Sequence, residues 1–191
     1  TSFPKLSSIP AFSDLGRILA RGEIRIGYSA LAIANLVMFI DDNGQFTGIE
    51  FEEAKQAVKI LERVYSTTLK TTFVPVSGDG GYFPPLADAL NKRVVDMVWT
   101  RMTNTPAREL EVDFTSCDSF ATAFTLAASA GVSLTNIVAG STVGCIEGSV
   151  FCTLPVPAGL EKVVLAGVNL DGAYAQLANG QVDYLINSVE Q

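Results

Sequence analysis

Two stretches of this chain carry the same parts in the same order. Ala89-Leu90-Asn91-Lys92-Arg93-Val94-Val95-Asp96-Met97-Val98 aligns with Gln176-Leu177-Ala178-Asn179-Gly180-Gln181-Val182-Asp183-Tyr184-Leu185. Each reads as a helix end, a polar turn, a Val-Asp pair and an apolar strand. A helix that turns back into an apolar strand is the building unit of an α/β layer fold. Two readings of the echo stay open: a pair of related lobes, or the ordinary recurrence of such a unit in any α/β chain. The paired acids, Asp96 and Asp183, stand at one place in both copies, which fits a strand-end role better than catalysis.

The rest of the chain keeps the alternation. Residues Ala11 to Ala20 read as a short amphipathic helix with Phe12, Leu15, Ile18 and Leu19 on one face, stopped at Gly22. Ile24 to Tyr28 alternates as a strand. Asp41-Asp42-Asn43-Gly44 signals a turn. Phe51, Ala54, Ala57, Val58, Leu61 and Val64 make one stripe on a long helix. Thr71 to Val76 reads as a strand, Pro84-Pro85 opens a helix, and Val94 to Trp99 reads as a buried parallel strand. In the second half, Ser133 is placed to cap a short helix ending at Gly140. Thr142 to Ile146 and Lys162 to Ala166 read as strands, Asp171 to Asn179 as a helix, and Val182 to Ile186 as a strand. The fold class is therefore α/β, with open, mostly parallel sheets covered by helices. The division expected is a first lobe over 1–118, a crossing segment over 119–130 and a second, incomplete lobe over 131–191.

Composition narrows the chemistry. Of 191 residues, 48% are hydrophobic and 17% charged, which suits a folded chain long enough for one large domain or two small lobes, each with its own core. The net charge of -7 argues against a nucleic-acid partner, which requires a basic face. No histidine is present, which removes the commonest general base and zinc ligand; neither a metal nor a cofactor is expected. The three cysteines, Cys117, Cys145 and Cys152, cannot all pair within the chain. Cys145 and Cys152 are near enough to bridge across a turn, although buried free thiols are the default reading. No apolar run reaches the roughly 20 residues that span a bilayer, and no signal-peptide pattern opens the sequence.

Several segments, in order, resemble the bacterial type-3 extracellular solute-binding proteins. They are Arg21-Gly22-Glu23-Ile24-Arg25-Ile26-Gly27; Asp42-Asn43-Gly44-Gln45-Phe46-Thr47-Gly48-Ile49-Glu50; Val95-Asp96-Met97-Val98 with Met102-Thr103-Asn104-Thr105-Pro106-Ala107-Arg108 and Val112-Asp113-Phe114; Ser141-Thr142-Val143-Gly144; Gly148-Ser149; and Leu177 to Asp183. The similarity runs from Leu15 nearly to the end. It implies a two-lobed periplasmic-binding-protein-like fold that binds a small amino acid or related carboxylate between its lobes. It also implies a periplasmic or extracellular location and delivery to a membrane transporter of the ABC type. Members of the family continue for a few dozen residues past the equivalent of Ile186, so a C-terminal part is expected to be missing here.

An amino-acid site needs a fixed cation for the carboxylate, acceptors for the ammonium and a pocket for the side chain. Arg108 is the candidate cation, because a guanidinium fork matches a carboxylate bidentately. Thr105 can cap the helix that Pro106 opens, and a helix start also favours an anion. Thr103 adds a hydroxyl and backbone groups. The resemblance assigns this carboxylate role to Arg108 and the threonines, and assigns Gly148 and Ser149 backbone N–H contacts to the same group. The plainer alternatives are a surface Arg108 paired with Glu109 or Glu111, and a simple Gly-Ser turn. Glu50, Glu52 and Glu53 read as ordinary acids at a helix N-terminus. The glycine-rich Gly78-Asp79-Gly80-Gly81 lacks the ending of a phosphate loop and reads as a flexible turn.

Three departures from the family weaken the ammonium half of the site. Asn35-Leu36-Val37 stands where an aromatic is usual. Arg101 replaces a small or neutral residue, and so either repels an ammonium or binds a second acidic group. Asn187 or Ser188 occupies the place of the family's carboxylate. These departures keep a second function open: a structural or interaction subunit of a membrane-associated complex that has lost ordinary ligand binding. An enzyme, such as the dehydratases of cyclic acids that share the fold, ranks last because no acid–base pair is evident.

Overall fold

A computed structural model describes residues 5–29, 39–40, 43–79, 81–100, 102–115, 123–135 and 137–189; at residues 39, 123–126 and 188–189 it describes the backbone alone. Two compact units result. The first comprises Thr1–Val76 with Leu86–Arg101, and the second Ser77–Pro85 with Met102–Gln191.

The first unit starts with a 3-10 turn, Leu6–Ser8, and α1 (Asp14–Arg21). Ser13 caps α1 by accepting the Gly16 N–H at 3.0 Å, and Gly22 ends it in the left-handed conformation. Phe12 therefore precedes the helix rather than riding on its buried face, and is 81% exposed. Next come β1 (Glu23–Ser29), the antiparallel pair β2 (Phe39–Ile40) and β3 (Phe46–Thr47), α2 (Ile49–Tyr65), β4 (Lys70–Val76), α3 (Phe83–Asn91) and β5 (Met97–Val98). Strands β4, β1 and β5 form a parallel sheet in that order. Ile24 and Ile26 of β1 are essentially fully buried and pack with Ile18, Ala54, Val58 and Leu69. Burying each isoleucine contributes about 1.5–3 kcal/mol. Glu50 is buried at 3% exposure, so it is not the solvated capping acid that its position in the first turn of α2 suggests.

The second unit contains α4 (Pro106–Glu109), β6 (Ala123–Ala128), β7 (Thr142–Ile146), a 3-10 turn at Val150–Thr153, β8 (Glu161–Leu165), α5 (Leu170–Ala178) and β9 (Tyr184–Val189). Its sheet runs β6-β9-β7-β8, parallel except for β6 against β9. Of the segment expected to cross between lobes, residues 119–122 lie outside the described residues and 123–128 form β6. No helix forms over the described residues between Ser133 and Gly140. The Ser133 hydroxyl accepts the Thr135 N–H locally, and its carbonyl accepts from the Tyr184 hydroxyl at 2.9 Å. The carbonyl that would accept the first helical N–H is thus engaged by Tyr184, and the Thr, Asn, Ile and Val that follow resist helix.

The sequence echo is also an echo in space. Ile26 pairs with Met97 and Gly27 with Val98, as Val143 pairs with Tyr184 and Gly144 with Leu185. A Cβ on Gly27 would sit 3.1 Å from Val95, and one on Gly144 would sit 3.2 Å from Val182. Each buried valine therefore packs on a glycine of the neighbouring strand. The acid that follows it clamps that strand's start: Asp96 accepts the Arg25 N–H, and Asp183 the Thr142 N–H, both at 2.8 Å. The strand expected over Val94–Trp99 is consequently short, because Asp96 turns its side chain to the clamp and Val94 is half exposed.

The turn before each clamp carries a left-handed residue at the same place. Gly180 has φ 68° and Arg93 has φ 57° at the matching place. Left-handed backbone costs a side-chain-bearing residue about 1–2 kcal/mol, partly offset by the greater unfolded entropy of glycine. Arg93→Gly is expected to raise stability by about 0.5–1 kcal/mol, read as an upward shift of the urea midpoint. A fall of the midpoint would show that the exposed arginine makes a compensating contact.

Candidate functional site

The sequence Thr-Pro-Ala-Arg folds as the spacing predicts. Thr105 has extended backbone, and its hydroxyl accepts the Arg108 N–H at 3.3 Å, while Pro106 takes the first helical position. The helix is a single turn, Pro106–Glu109, too short for a substantial macrodipole. The expectation of an anion-attracting helix start is corrected accordingly: charge at this place comes from the arginine side chain.

That side chain is inside the protein. Arg108 is 8% exposed. Its Nη1 donates to the Thr103 carbonyl at 2.9 Å and its Nη2 to the Gly148 carbonyl at 2.8 Å. The guanidinium carbon lies 4.6 Å from the centre of the Phe83 ring, a cation–π distance. Burial holds the guanidinium below its ordinary pKa, opposed by Tyr82 and Glu111, and an arginine so placed remains a cation. No carboxylate lies within ion-pair distance of Arg108 among the described residues. The surface pairing with Glu109 is not formed; Glu109 instead accepts from the Asn104 side chain at 2.8 Å. Bonds to the described residues use two of the five guanidinium N–H groups, which leaves enough donors for a bidentate anion.

Gly148 and Ser149 sit where β7 gives way to the 3-10 turn. Gly148 presents its carbonyl to Arg108, and the Ser149 N–H is spent on the Ile146 carbonyl at 3.0 Å. The Ser149 N–H contact implied by the resemblance is thus occupied within the turn. Cys145 and Cys152 form a disulfide across this turn, with Cα atoms 5.3 Å apart, which corrects the default of free thiols. The 3-10 turn brings the second cysteine back onto the end of β7. Lys162 adds a second tie, donating to the carbonyls of Cys152 at 2.9 Å and of Leu154. Cys117, Arg101 and Asn35-Leu36-Val37 lie outside the described residues. Ser188 is described in backbone only, paired with Phe124, and Asn187 with Thr125.

Sequence reasoning missed Phe83 and misread Gly81. Phe83 is buried under the guanidinium. Gly81 is buried with φ 83°, against the Glu147 carbonyl. The signal was the Gly78-Asp79-Gly80-Gly81 run itself, since a glycine cluster marks close backbone approach as well as flexibility. Among the described residues no group of three or more Cys, Asp or Glu side chains could hold a metal ion, and no helix is long and apolar enough to cross a membrane.

Comparison with known proteins bears on the fold and the family. The chain is similar to an ancestral amino-acid-binding protein described as a precursor of cyclohexadienyl dehydratase, with 25% identity, TM-score 0.71, and coverage of 92% of this chain and 74% of that one. It is similar to an ancestral arginine-binding protein bound to glutamine, with 26% identity, TM-score 0.68, and coverage of 88% and 70%. The cysteine-binding protein of Campylobacter jejuni shares the fold at 20% identity, TM-score 0.67, with coverage of 93% and 68%. No curated protein sequence matches. The sequence pattern of the bacterial extracellular solute-binding proteins, family 3, matches residues 25–134. With more than half of its length so matched and the two-unit α/β architecture in place, the chain belongs to the bacterial extracellular solute-binding proteins, family 3.

Proposed function

We propose that this chain binds the carboxylate of a small amino acid, or of a related small acid, at Arg108, for delivery to an ABC-type membrane transporter from a periplasmic or extracellular location. The observation that carries this reading is the buried guanidinium, oriented by two neutral carbonyls and a ring, with no acid at ion-pair distance among the described residues. A buried charge without a counter-charge is costly, and a ligand carboxylate offsets that cost. Thr103 and Thr105 frame the arginine, and Gly148 aims it. Arg101, next to this segment, suits a ligand with a second acidic group, and Ser188 is kept as a candidate from the resemblance. The amino acids named for similar proteins define the first ligands to try. The Cys145–Cys152 disulfide supports an oxidising compartment. The reading is a binding protein, not an enzyme.

Isothermal titration with L-glutamine, L-arginine, L-cysteine, L-glutamate and simple dicarboxylates tests it. One of them is expected to bind at micromolar Kd or tighter. Its α-carboxamide should bind about 30-fold more weakly, about 2 kcal/mol for a lost charge-assisted pair. No saturable binding by any of the free acids would overturn the reading in favour of an interaction subunit.

A further inference from the structure

The carbonyl that aims Arg108 sits on a short turn, and that turn is held from two sides. On one side is Gly81. A Cβ on Gly81 would lie 2.0 Å from the Glu147 carbonyl oxygen, 2.4 Å from its carbon and 2.9 Å from the Gly148 nitrogen. All three are backbone atoms, so no side chain can swing away. The φ of 83° at Gly81 adds strain for any residue with a Cβ. The adjacent Tyr82 N–H donates to the Glu147 carbonyl at 3.2 Å, and Phe83 follows under the guanidinium at 4.6 Å. On the other side the disulfide ties Cys145, buried in β7, to Cys152 in the 3-10 turn. Between these anchors the Gly148 carbonyl meets Arg108 Nη2 at 2.8 Å.

We propose that Gly81 and the Cys145–Cys152 disulfide are positioning residues for the carboxylate site: together they fix the Glu147–Gly148 turn, and through the Gly148 carbonyl they set the direction of the Arg108 guanidinium. An arginine side chain has several rotatable bonds, and holding it before the ligand arrives removes an ordering cost from binding. A carbonyl displaced by an ångström no longer does so, because a hydrogen bond weakens steeply with distance and angle. Gly81 is then a fitted contact rather than part of a loose turn. This role rests on the reading of Arg108 as the carboxylate-binding cation.

Two variants test it, Gly81→Ala and the double variant Cys145→Ala/Cys152→Ala, alongside Arg108→Ala. Each is titrated with the amino acid that the parent binds best and with the α-carboxamide of that amino acid, after circular dichroism has established folding. Each folded positioning variant should lose at least fivefold of the parent's preference for acid over amide, with amide affinity within twofold of the parent. A merely structural role would weaken acid and amide together, or lower the melting temperature without moving the ratio. If Gly81→Ala does not fold, the cysteine variant and the parent reduced with a dithiol decide. A ratio retained in every folded form overturns the positioning role. If Arg108→Ala abolishes the preference while the positioning variants keep it, the positioning role alone falls. If the parent binds no amino acid, the carboxylate reading and this role fall together.

Discussion

Arg108→Ala is expected to abolish carboxylate binding, with Kd rising at least 100-fold, while the ligand-free protein stays folded. The binding loss follows from the setting. In a buried place a charge-assisted bidentate pair contributes several kcal/mol, and removing one partner leaves the other charge desolvated and alone. The effect on folding is smaller because two changes oppose each other. The variant loses the donors to the Thr103 and Gly148 carbonyls and the contact with Phe83. It also loses a buried cation with no ion-paired acid among the described residues, which is unfavourable in the ligand-free state. The two leave a net change of about 1–2 kcal/mol in either direction. Arg108→Lys should recover only part of the affinity, since an ammonium cannot span both carbonyls and still present a planar fork. Titration calorimetry paired with thermal unfolding separates the two consequences. Binding by Arg108→Ala within threefold of the parent would remove Arg108 from the site.

Asp96→Ala carries the largest expected cost to stability, about 2–4 kcal/mol. The carboxylate accepts the Arg25 N–H at 2.8 Å, Arg25 Nε at 3.2 Å and Nη2 at 3.0 Å, and also binds Arg21. Its side chain is 10% exposed, whereas those of Arg21 and Arg25 are 35% and 28% exposed and regain water once it is gone. The cost is therefore below that of a fully buried pair. Asp183→Ala removes only neutral donors, the Thr142 N–H and hydroxyl, and should cost about 1–2 kcal/mol. Burial alone would raise the Asp96 carboxyl; the Arg25 side-chain and backbone donors, with the Arg21 charge, outweigh it and hold the group below its ordinary value. A depressed carboxylate contributes stability that is present above the unfolded value of about 3.9 and is lost as pH falls through the folded value. Chemical denaturation followed from neutral to acid pH should thus show a steeper decline below about pH 4 in the parent than in Asp96→Ala. Parallel curves would sink this account of the clamp.

Local chemistry was readable wherever partners lie a few residues apart. Gly22 ends α1, and Thr105 and Pro106 start the turn before Arg108. The Val-Asp echo was also legible, because a buried valine and a clamping acid leave a residue signature, although the glycines they meet come from other strands. The misreadings share one cause. Ser133 has the composition of a cap, but Tyr184, distant in sequence, takes its carbonyl. Gly81 has the composition of a flexible turn, but Glu147 stands against it. The disulfide depended on how tightly the turn after β7 closes.

By itself the sequence determined an α/β chain built on a repeated helix-to-strand unit, and nominated Arg108 as the cation, because periodicity, caps and residue chemistry act over short separations along the chain. The tertiary structure alone decided that Arg108 is buried, that Phe83 and the Gly148 carbonyl hold it, that Cys145 and Cys152 pair and that Gly81 must stay a glycine. Each of these is a contact between residues brought together by folding, where burial changes the energy of a charge and one ångström decides whether a side chain fits.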